Sequence, residues 1–163
     1  MRLLYEQESE AVFRTICAIV LDRATAQDLT QEVFIRALRS WDGFDGRNAH
    51  GWLLKIGSNL AISHYRSEKR HRAVPPWLLI TRRRDQSPEE FDDKDLVSWL
   101  MRPLNADQRA RVVLHYYNQS PRSDIADMLG IPIGTVGSRL NKAMELMRQR
   151  AEVANAFPSR SAS

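Results

Sequence analysis

The stretch 120–147 constrains the fold more than any other part of the chain. Pro121 suits the first turn of a helix, where its missing N–H would have no partner. Gly130 stands where a helix commonly ends in left-handed conformation, and Pro132 blocks its continuation. A second helix is predicted to begin near Gly134. Each helix has one apolar stripe at helical spacing, made by Ile125, Ala126 and Leu129 and then by Val136, Leu140, Ala143 and Met147.

The outer face of the second helix is polar and basic, and its first acidic residue is Glu145. Hydroxyl, amide and cationic groups are donors that suit the phosphates and base edges of DNA. A short helix, a tight turn and a longer helix with such a face are typical of a helix-turn-helix. A plain helical hairpin would show the same apolar stripes, so the pattern alone leaves both interpretations open. The outer-face residues are Thr135, Ser138, Arg139, Lys142 and Gln149.

The charge distribution allows a nucleic-acid partner and indicates two different surfaces. The chain of 163 residues is 43% hydrophobic and 27% charged, which favours a folded core. Its net charge is +4 and its pI is near 9.6. Residues 1–35 contain three arginines against six acidic residues, a net charge of −3, whereas residues 36–72 have a net charge of +5. An acidic opening followed by a basic middle suggests two partner surfaces.

The sequence lacks the residues that several classes of function require. No apolar run approaches the roughly 18–20 residues of a membrane span, and the N-terminus turns acidic where a signal peptide would have its apolar core. We therefore expect a cytoplasmic protein without membrane insertion. Cys17 is the only cysteine, so no internal disulfide or Cys-based zinc site can form. The four histidines lack metal-ligand spacing and no nucleophile stands near a base, so we expect no enzyme activity, metal or cofactor.

Three helices are predicted in the first half, over about 3–21, 25–40 and 49–70. The second has a capping-box pattern from Thr25 to Asp28 and inward-facing apolar residues that include Leu38. Its other side is a polar row with one stranded apolar residue. This row is either a solvated face or a docking face for another protein, and the pattern does not decide between them. The row contains Asp28, Gln31, Glu32, Ile35 and Arg36.

The third predicted helix carries a basic ridge that begins beside an aromatic loop, residues 41–51. Cations bind phosphates and rings stack on unstacked bases, so the combination suits single-stranded or opened DNA. A solvated amphipathic helix is the competing interpretation. The ridge contains Lys55, Ser58, Asn59, Ile62, Arg66, Lys69 and Arg70.

The predicted fold class is all-α, with two small helical domains joined by a flexible linker. We place the first domain at 1–71, the linker at 72–93, the second domain at 94–150 and a disordered tail at 151–163. Pro75 and Pro76 oppose a helix in the linker, whose basic and acidic runs cannot bury enough surface to fold alone. A linker of this length would let the two domains move independently. The second domain is predicted to hold four helices, of which the last two form the helix-turn-helix.

Stretches of both halves resemble one protein family. DLTQEVFIRAL (28–38) and WLLKIGSNLAISHYR (52–66) resemble the second domain of bacterial RNA polymerase sigma factors. LNADQR (104–109) and IADMLGIPIGTVGSRL (125–140) resemble the fourth domain. The short length, with only a linker between the two, resembles the extracytoplasmic-function (ECF) class. The resemblance covers about residues 5–150.

This resemblance implies a subunit that binds core RNA polymerase, recognises the −10 and −35 promoter elements and promotes DNA opening. The implied partners are the β′ clamp helices and the β subunit of the polymerase, promoter DNA and an anti-sigma factor. The implied polymerase-binding residues are Asp28, Gln31, Glu32 and Ile35. The implied −10 residues are Phe44, Asp45, Arg47, Asn48, Lys55, Asn59, Arg66, Lys69 and Arg70. The implied −35 residues are Thr135, Ser138, Arg139, Asn141 and Lys142.

The chain departs from the family pattern at Gly137, where similar proteins usually place Lys or Arg. The change removes a DNA-facing cation and lowers helix propensity by roughly 1 kcal/mol. Two other functions stay open at this point. A stand-alone helix-turn-helix regulator would need neither the aromatic loop nor the row on the second helix. A decoy that only binds an anti-sigma factor would not need the basic ridge.

Overall fold

A computed structural model describes residues 1–71 and 93–156 of the chain. In this part the chain forms seven α-helices and no strand, in agreement with the predicted all-α class. The predicted linker falls almost entirely outside the described residues. The helices are α1 (Arg2–Val20), α2 (Arg23–Arg39), α3 (Ala49–His71), α4 (Asp93–Met101), α5 (Ala106–Val112), α6 (Arg122–Leu129) and α7 (Ile133–Ala156).

The first domain is a bundle in which α1, α2 and α3 all pack against one another. Its core contains Val12, Ile16, Val33, Phe34 and Leu53. Gly57 lets α3 approach its neighbours closely, because a Cβ at this position would lie 3.4 Å from the Ile16 side chain.

Two details of α2 differ from the prediction. The helix begins two residues before Thr25, because the side chain of Asp22 accepts a hydrogen bond from the Thr25 N–H and caps it. The predicted capping box is therefore wrong. Leu38 is 59% exposed rather than buried, since the packed face is centred on Phe34 and Ala37, and Leu38 lies about 100° further round the helix.

The second domain begins with α4, and side chains cap the helix that follows it. Asn105 and Gln108 form a complete capping box at the start of α5. The helix continues as a π-helical segment over Val113–Tyr117. This segment changes the register, so Val113 is buried but Tyr117, four residues later, is exposed.

The helix-turn-helix is confirmed as α6 and α7. Gly130 ends α6 with φ 63° and ψ 39°, the left-handed conformation that glycine adopts without a Cβ penalty. Val136, Leu140 and Ala143 are buried on the inner face of α7. The predicted disorder is wrong for 151–156, because α7 continues to Ala156. An ion pair one turn apart reaches into this extension, with the Arg148 Nε 4.0 Å from the Glu152 carboxylate. Residues 157–163 lie outside the described part.

The two domains pack against each other. Helix α3 contacts α5 and α6, and α1 contacts α5 and the π-helical segment. Leu54 of α3 is 1% exposed and belongs to the core of the second domain, while Ala106 and Ala110 of α5 belong to the core of the first. The structure therefore has two domains packed together, whereas the linker length predicts domains that move independently.

The basic ridge predicted on α3 is interrupted by this packing. Ser58 and Ile62 were expected on the outer side, but both are buried. Helix α3 is covered on two sides, by its own bundle and by the second domain, so that only part of the predicted ridge stays on the surface.

Candidate nucleic-acid interface

An open groove of about 460 Å³ runs between α2 and α3. Lys55, Asn59 and Ser63 line it at a spacing of four residues, so they follow one another along α3. Arg36 enters from α2, while Trp52, Ile56 and Leu60 supply apolar surface. The groove thus combines cations, amide and hydroxyl groups with a large ring, which are the groups that bind backbone and bases of an unpaired strand.

The groove continues into a second, more basic hollow. Ser63 lines both, and Arg66, Lys69 and Arg70 line the second hollow, which has a volume of about 580 Å³. The structure therefore brings five of the predicted −10 residues, Lys55, Asn59, Arg66, Lys69 and Arg70, onto one path along α3. Arg66 is already engaged, since its guanidinium lies 2.6 Å from the Asp107 carboxylate of α5.

Three rings hold the loop that precedes α3. Phe44 stacks on Trp52, with centroids 4.5 Å apart and planes 15° from parallel. Trp41 lies against both rings, at 5.6 Å from Phe44 and 6.2 Å from Trp52. One face of Phe44 is consequently occupied by Trp52, and the pair forms a platform at the entrance of the α3 path.

Polar residues of the same loop fix its backbone. Asp45 accepts a hydrogen bond from the Arg47 N–H at 2.9 Å. Asn48 accepts one from the Gly51 N–H at 2.9 Å and so caps the start of α3. A Cβ at Gly51 would lie 2.5 Å from the Asn48 amide nitrogen, so a larger residue there would displace the Asn48 side chain that caps the helix. Asp45 and Asn48 therefore have structural contacts in addition to the predicted DNA contacts.

The loop and α6 together enclose a third pocket, of about 530 Å³. Phe44, Asp45, Arg47, Asn48 and Lys55 line one side, so the predicted −10 residues of the loop do converge. The other side is formed by Asp124, Asp127 and Met128 of the second domain. Asn59 donates from its side-chain amide to the Met128 carbonyl at 2.8 Å, and to the Lys55 carbonyl at the same distance.

The predicted −35 residues lie on the first half of α7. Ser138, Arg139, Asn141 and Lys142 are exposed, and Thr135 is half-buried. Gly137 lies among them, and a Cβ there would be 3.2 Å from a terminal guanidinium nitrogen of Arg122. Arg122, the first residue of α6, thus places a cation beside Gly137, the position of α7 that has no side chain.

A cavity of about 310 Å³ lies where the two domains meet, and four cations surround it. Arg66 comes from α3, Arg111 from α5, and Arg139 and Lys142 from α7. Arg111 is 4% exposed, and its Nε has no hydrogen-bond partner among the described residues. Burial, followed by the nearby Arg139 charge, lowers the pKa of the Arg111 guanidinium.

The row predicted on α2 borders the groove at Arg36. Asp28 and Gln31 are exposed, and the Glu32 carboxylate pairs with the Arg36 guanidinium at 2.7 Å. Ile35 is 44% exposed, and Leu38 adds a second exposed apolar side chain. The structure therefore gives this acidic row an apolar centre larger than the sequence predicted.

Three cations that line these surfaces or lie beside them were not identified from the sequence. The sequence pattern assigns Arg36 only to the outward row of α2. In the structure it also lines the groove beside α3. Arg111 lies two residues after Arg109 on a helix expected to be plain packing. Arg122 follows Pro121, and nothing in the local pattern connects it with Gly137.

Two features are absent from the part of the chain that the structure describes. No three or more His, Cys, Asp or Glu side chains come together there in a way that could hold a metal ion. None of the helices in the same part combines the length and the apolar character needed to cross a bilayer.

Comparison with known proteins assigns both domains. The family model for sigma-70 region 2 matches residues 4–71, and the model for sigma-70 region 4 matches residues 100–147. The chain is 32% identical over 144 residues to the RNA polymerase sigma-E factor of Streptomyces avermitilis, covering 88% of this chain and 80% of that protein. It is 30% identical over 153 residues to the ECF RNA polymerase sigma factor SigL of Mycobacterium tuberculosis, covering 91% and 86%.

Solved structures have a similar fold. The sigma factor RpoE from Bartonella quintana, in complex with the anti-sigma factor NepR, matches with a TM-score of 0.70 and 24% identity over 89% of this chain and 92% of that chain. CnrH, in complex with the cytosolic domain of CnrY, matches with a TM-score of 0.66 and 20% identity over 93% and 86%. At these identities the likeness concerns the fold.

Proposed function

The chain belongs to the extracytoplasmic-function family of RNA polymerase sigma factors, and we propose that it directs core polymerase to promoters and helps to open their DNA. The observation that carries the proposal is the path along α3. It begins at a stacked ring pair, passes a groove with amide and hydroxyl groups, and ends in a cluster of cations. An opened strand needs these groups in this combination.

We assign −10 recognition to the loop and the α3 path. Phe44, Asp45, Arg47 and Asn48 would surround an extruded base, and Asn59 would bind its edge. Unstacking a base costs a few kcal/mol. Contacts of Lys55, Arg66, Lys69 and Arg70 with the strand phosphates would offset part of this cost.

We assign −35 recognition to α7, with Ser138, Arg139, Asn141 and Lys142 facing the major groove and Thr135 at its edge. The exposed position of these donors on the second helix of a helix-turn-helix supports the assignment. Arg122 would supply the cation that Gly137 lacks. Its guanidinium reaches the same face of α7.

We assign core polymerase binding to Asp28, Gln31, Glu32 and Ile35 of α2. An apolar centre with a polar and acidic rim is the usual composition of a protein-binding surface. The β′ clamp helices are the proposed partner of this row, and the β subunit is a proposed partner of the second domain. An anti-sigma factor is a further proposed partner, and the protein would act in the cytoplasm without catalysing a reaction of its own.

The test is transcription in vitro with purified core polymerase and a pool of promoter-bearing DNA fragments. Transcripts that depend on the protein are expected, and Ile35→Asp should abolish them by placing a charge in the centre of the docking row. Leu3→Asp on α1 is the matched control, since it also places an aspartate at an exposed apolar residue, 72% exposed, outside the docking row. It should leave the transcripts unchanged.

The outcomes separate the proposed function from the other two. Binding to duplex DNA without binding to core polymerase would identify a stand-alone regulator and contradict the proposal. Binding to core polymerase without protein-dependent transcripts from a pool covering the genome would identify a decoy. Loss of core binding in Ile35→Asp, with unchanged circular dichroism, would assign the α2 row directly.

A further inference from the structure

The cavity lined by α3, α5 and α7 has an excess of positive charge. Its volume is about 310 Å³, at the lower end of the range of small-molecule sites in proteins. Four cations line it, Arg66, Arg111, Arg139 and Lys142, and Asp107 is the one carboxylate in its described lining. The described lining therefore has a net charge of +3, which favours an anion as the occupant.

The guanidinium of Arg111 is the buried member of this group of cations. Arg111 is 4% exposed, whereas Arg139 and Lys142 are exposed on α7. The Arg111 Nε has no hydrogen-bond partner among the described residues. The Asp107 carboxylate pairs with Arg66 instead, at 2.6 Å. Because a buried charged donor without a partner is unfavourable, an anion in the cavity would gain a strong hydrogen bond from Arg111.

Two amide side chains add uncharged donors to the cavity wall. The capping box at the start of α5 uses the side-chain oxygens of Asn105 and Gln108, each of which accepts from the other residue's backbone N–H at 2.9 Å. The box does not use their NH2 groups, and both residues line the cavity. The cap thus makes donors of two side chains that could otherwise donate or accept, and donors suit an anion.

The net charge of the lining indicates how many phosphate groups would match it. A phosphate monoester carries about −1.5 to −2 at pH 7. One such group would leave part of the +3 unbalanced, whereas two joined groups would come close to balancing it. Three of the four cations are arginines, whose planar guanidinium can bind two phosphate oxygens at once.

We propose that this cavity binds a diphosphate group, either as a free anion or as part of a nucleotide, and that Arg111 is its buried anchor. The phosphates of duplex DNA fit the cavity less well. A duplex lying on the exposed face of α7 would reach Arg139 and Lys142, but Arg111 is buried and Arg66 belongs to α3. The inference does not depend on the proposed function.

The test is isothermal titration calorimetry of the full-length chain with inorganic diphosphate, in metal-free buffer at constant ionic strength. Inorganic phosphate and sulfate serve as comparison anions. Arg111→Met removes the buried donor, and Lys142→Met removes an exposed cation of the same cavity. Arg148→Met is the matched control, because it removes an exposed cation of α7 that does not line the cavity.

Inorganic diphosphate should bind the wild type and Arg148→Met equally well, and at least about tenfold more tightly than inorganic phosphate does. Arg111→Met should bind it at least about tenfold more weakly, because a charge-assisted hydrogen bond is lost. Circular dichroism checks that this variant is folded. Lys142→Met should also weaken binding, and it serves if Arg111→Met fails to fold.

Titrations with adenosine diphosphate and adenosine monophosphate distinguish the two sources of the diphosphate group. Tighter binding of the nucleoside diphosphate than of inorganic diphosphate would identify a nucleotide site, and the reverse order would identify a site for the free anion. Either order supports the proposal, provided that the monophosphate binds more weakly than both.

Three results would overturn the site. The wild type could bind diphosphate no more tightly than sulfate, or Arg111→Met could bind it as tightly as Arg148→Met does. Loss of duplex DNA binding in Arg111→Met, with no diphosphate binding by the wild type, would show that these cations serve the DNA backbone instead. Core polymerase takes part in none of these measurements, so failure of this inference is distinct from failure of the proposed function.

Discussion

Phe44 stacks on Trp52 across the junction between the loop and α3, with ring centroids 4.5 Å apart. Trp52 lies in the first turn of α3, next to Leu53 in the core of the bundle. The stacking therefore fixes the position of the exposed loop relative to the buried face of α3. The main-chain turns at Asp45 and Asn48 then fix the residues on either side of the proposed base pocket.

Replacing Phe44 by leucine should harm promoter opening more than folding. The leucine keeps an apolar contact but removes the stacked ring, which should lower the free energy of unfolding by about 1 kcal/mol. Transcript yield from duplex promoters should fall at least tenfold, because the loop loses its position as well as a ring for the base. Denaturant titration and in vitro transcription measure the two effects. Tyr116→Leu, at an exposed ring, should change neither.

The pair Arg122 and Gly137 predicts a reciprocal rescue in −35 binding. Arg122→Ala should weaken binding to a −35 duplex about tenfold, because it removes the cation over the recognition helix. Gly137→Lys alone would bring a new side chain against Arg122 and change binding little. In the double variant the lysine should restore most of the lost affinity. Fluorescence anisotropy measures the affinity for −35 duplexes taken from promoters that give protein-dependent transcripts. A double variant that binds as weakly as Arg122→Ala would contradict the pairing.

Most of the fold follows from local patterns in the sequence. Asn105 and Gln108, and the Gly130 that ends α6, act through the backbone within a few residues, so their spacing is sufficient to predict them. Asp22 was missed because Thr25 and Asp28 form an equally good local pattern. In the structure the Asp22 carboxylate accepts from the Thr25 N–H, so Thr25 lies inside the helix rather than at its cap.

The domain packing could not be predicted because it joins residues far apart in the sequence. The burial of Ser58 and Ile62 depends on the second domain lying against α3, and no periodicity within α3 records this. The resemblance predicted which residues share the −10 surface, and the structure brings the loop residues to one pocket and the α3 residues to one path. Their roles in DNA binding stay predictions.

Cys17 should react slowly with thiol reagents. Burial raises the pKa of its thiol, and the nearby Asp22 adds to the shift while Arg23 opposes it. Since the thiolate is the reactive form, modification at pH 8 should be slower than for a free cysteine and should accelerate as the pH rises above 9. The pKa of the Cys17 thiol is higher in the folded than in the unfolded chain. The thiol therefore contributes to stability at a pH below its unfolded-state pKa, and this contribution is lost as the pH rises through its folded-state pKa. Stopped-flow measurements of the modification rate against pH test this.

Arg109 and Arg111 should respond in opposite ways to replacement by methionine. Both are almost fully buried on the same helix, at 2% and 4% exposure. Arg109 donates to the Leu104 carbonyl at 3.0 Å and lies over the Tyr65 ring. Its replacement should lower the free energy of unfolding by about 2 kcal/mol, because these contacts are lost.

Arg111 makes no comparable contact with the described residues, since Arg66, Arg139 and Lys142 line the same cavity and Asp107 is the one carboxylate in its described lining. Arg111→Met should therefore raise the free energy of unfolding by about 1–2 kcal/mol, because it removes a buried charge that repels its neighbours. Added salt should stabilise the wild type more than this variant, since ions screen the repulsion. Denaturant titrations at low and high salt measure both effects. A loss of stability in Arg111→Met equal to that in Arg109→Met would show that the guanidinium is well paired after all.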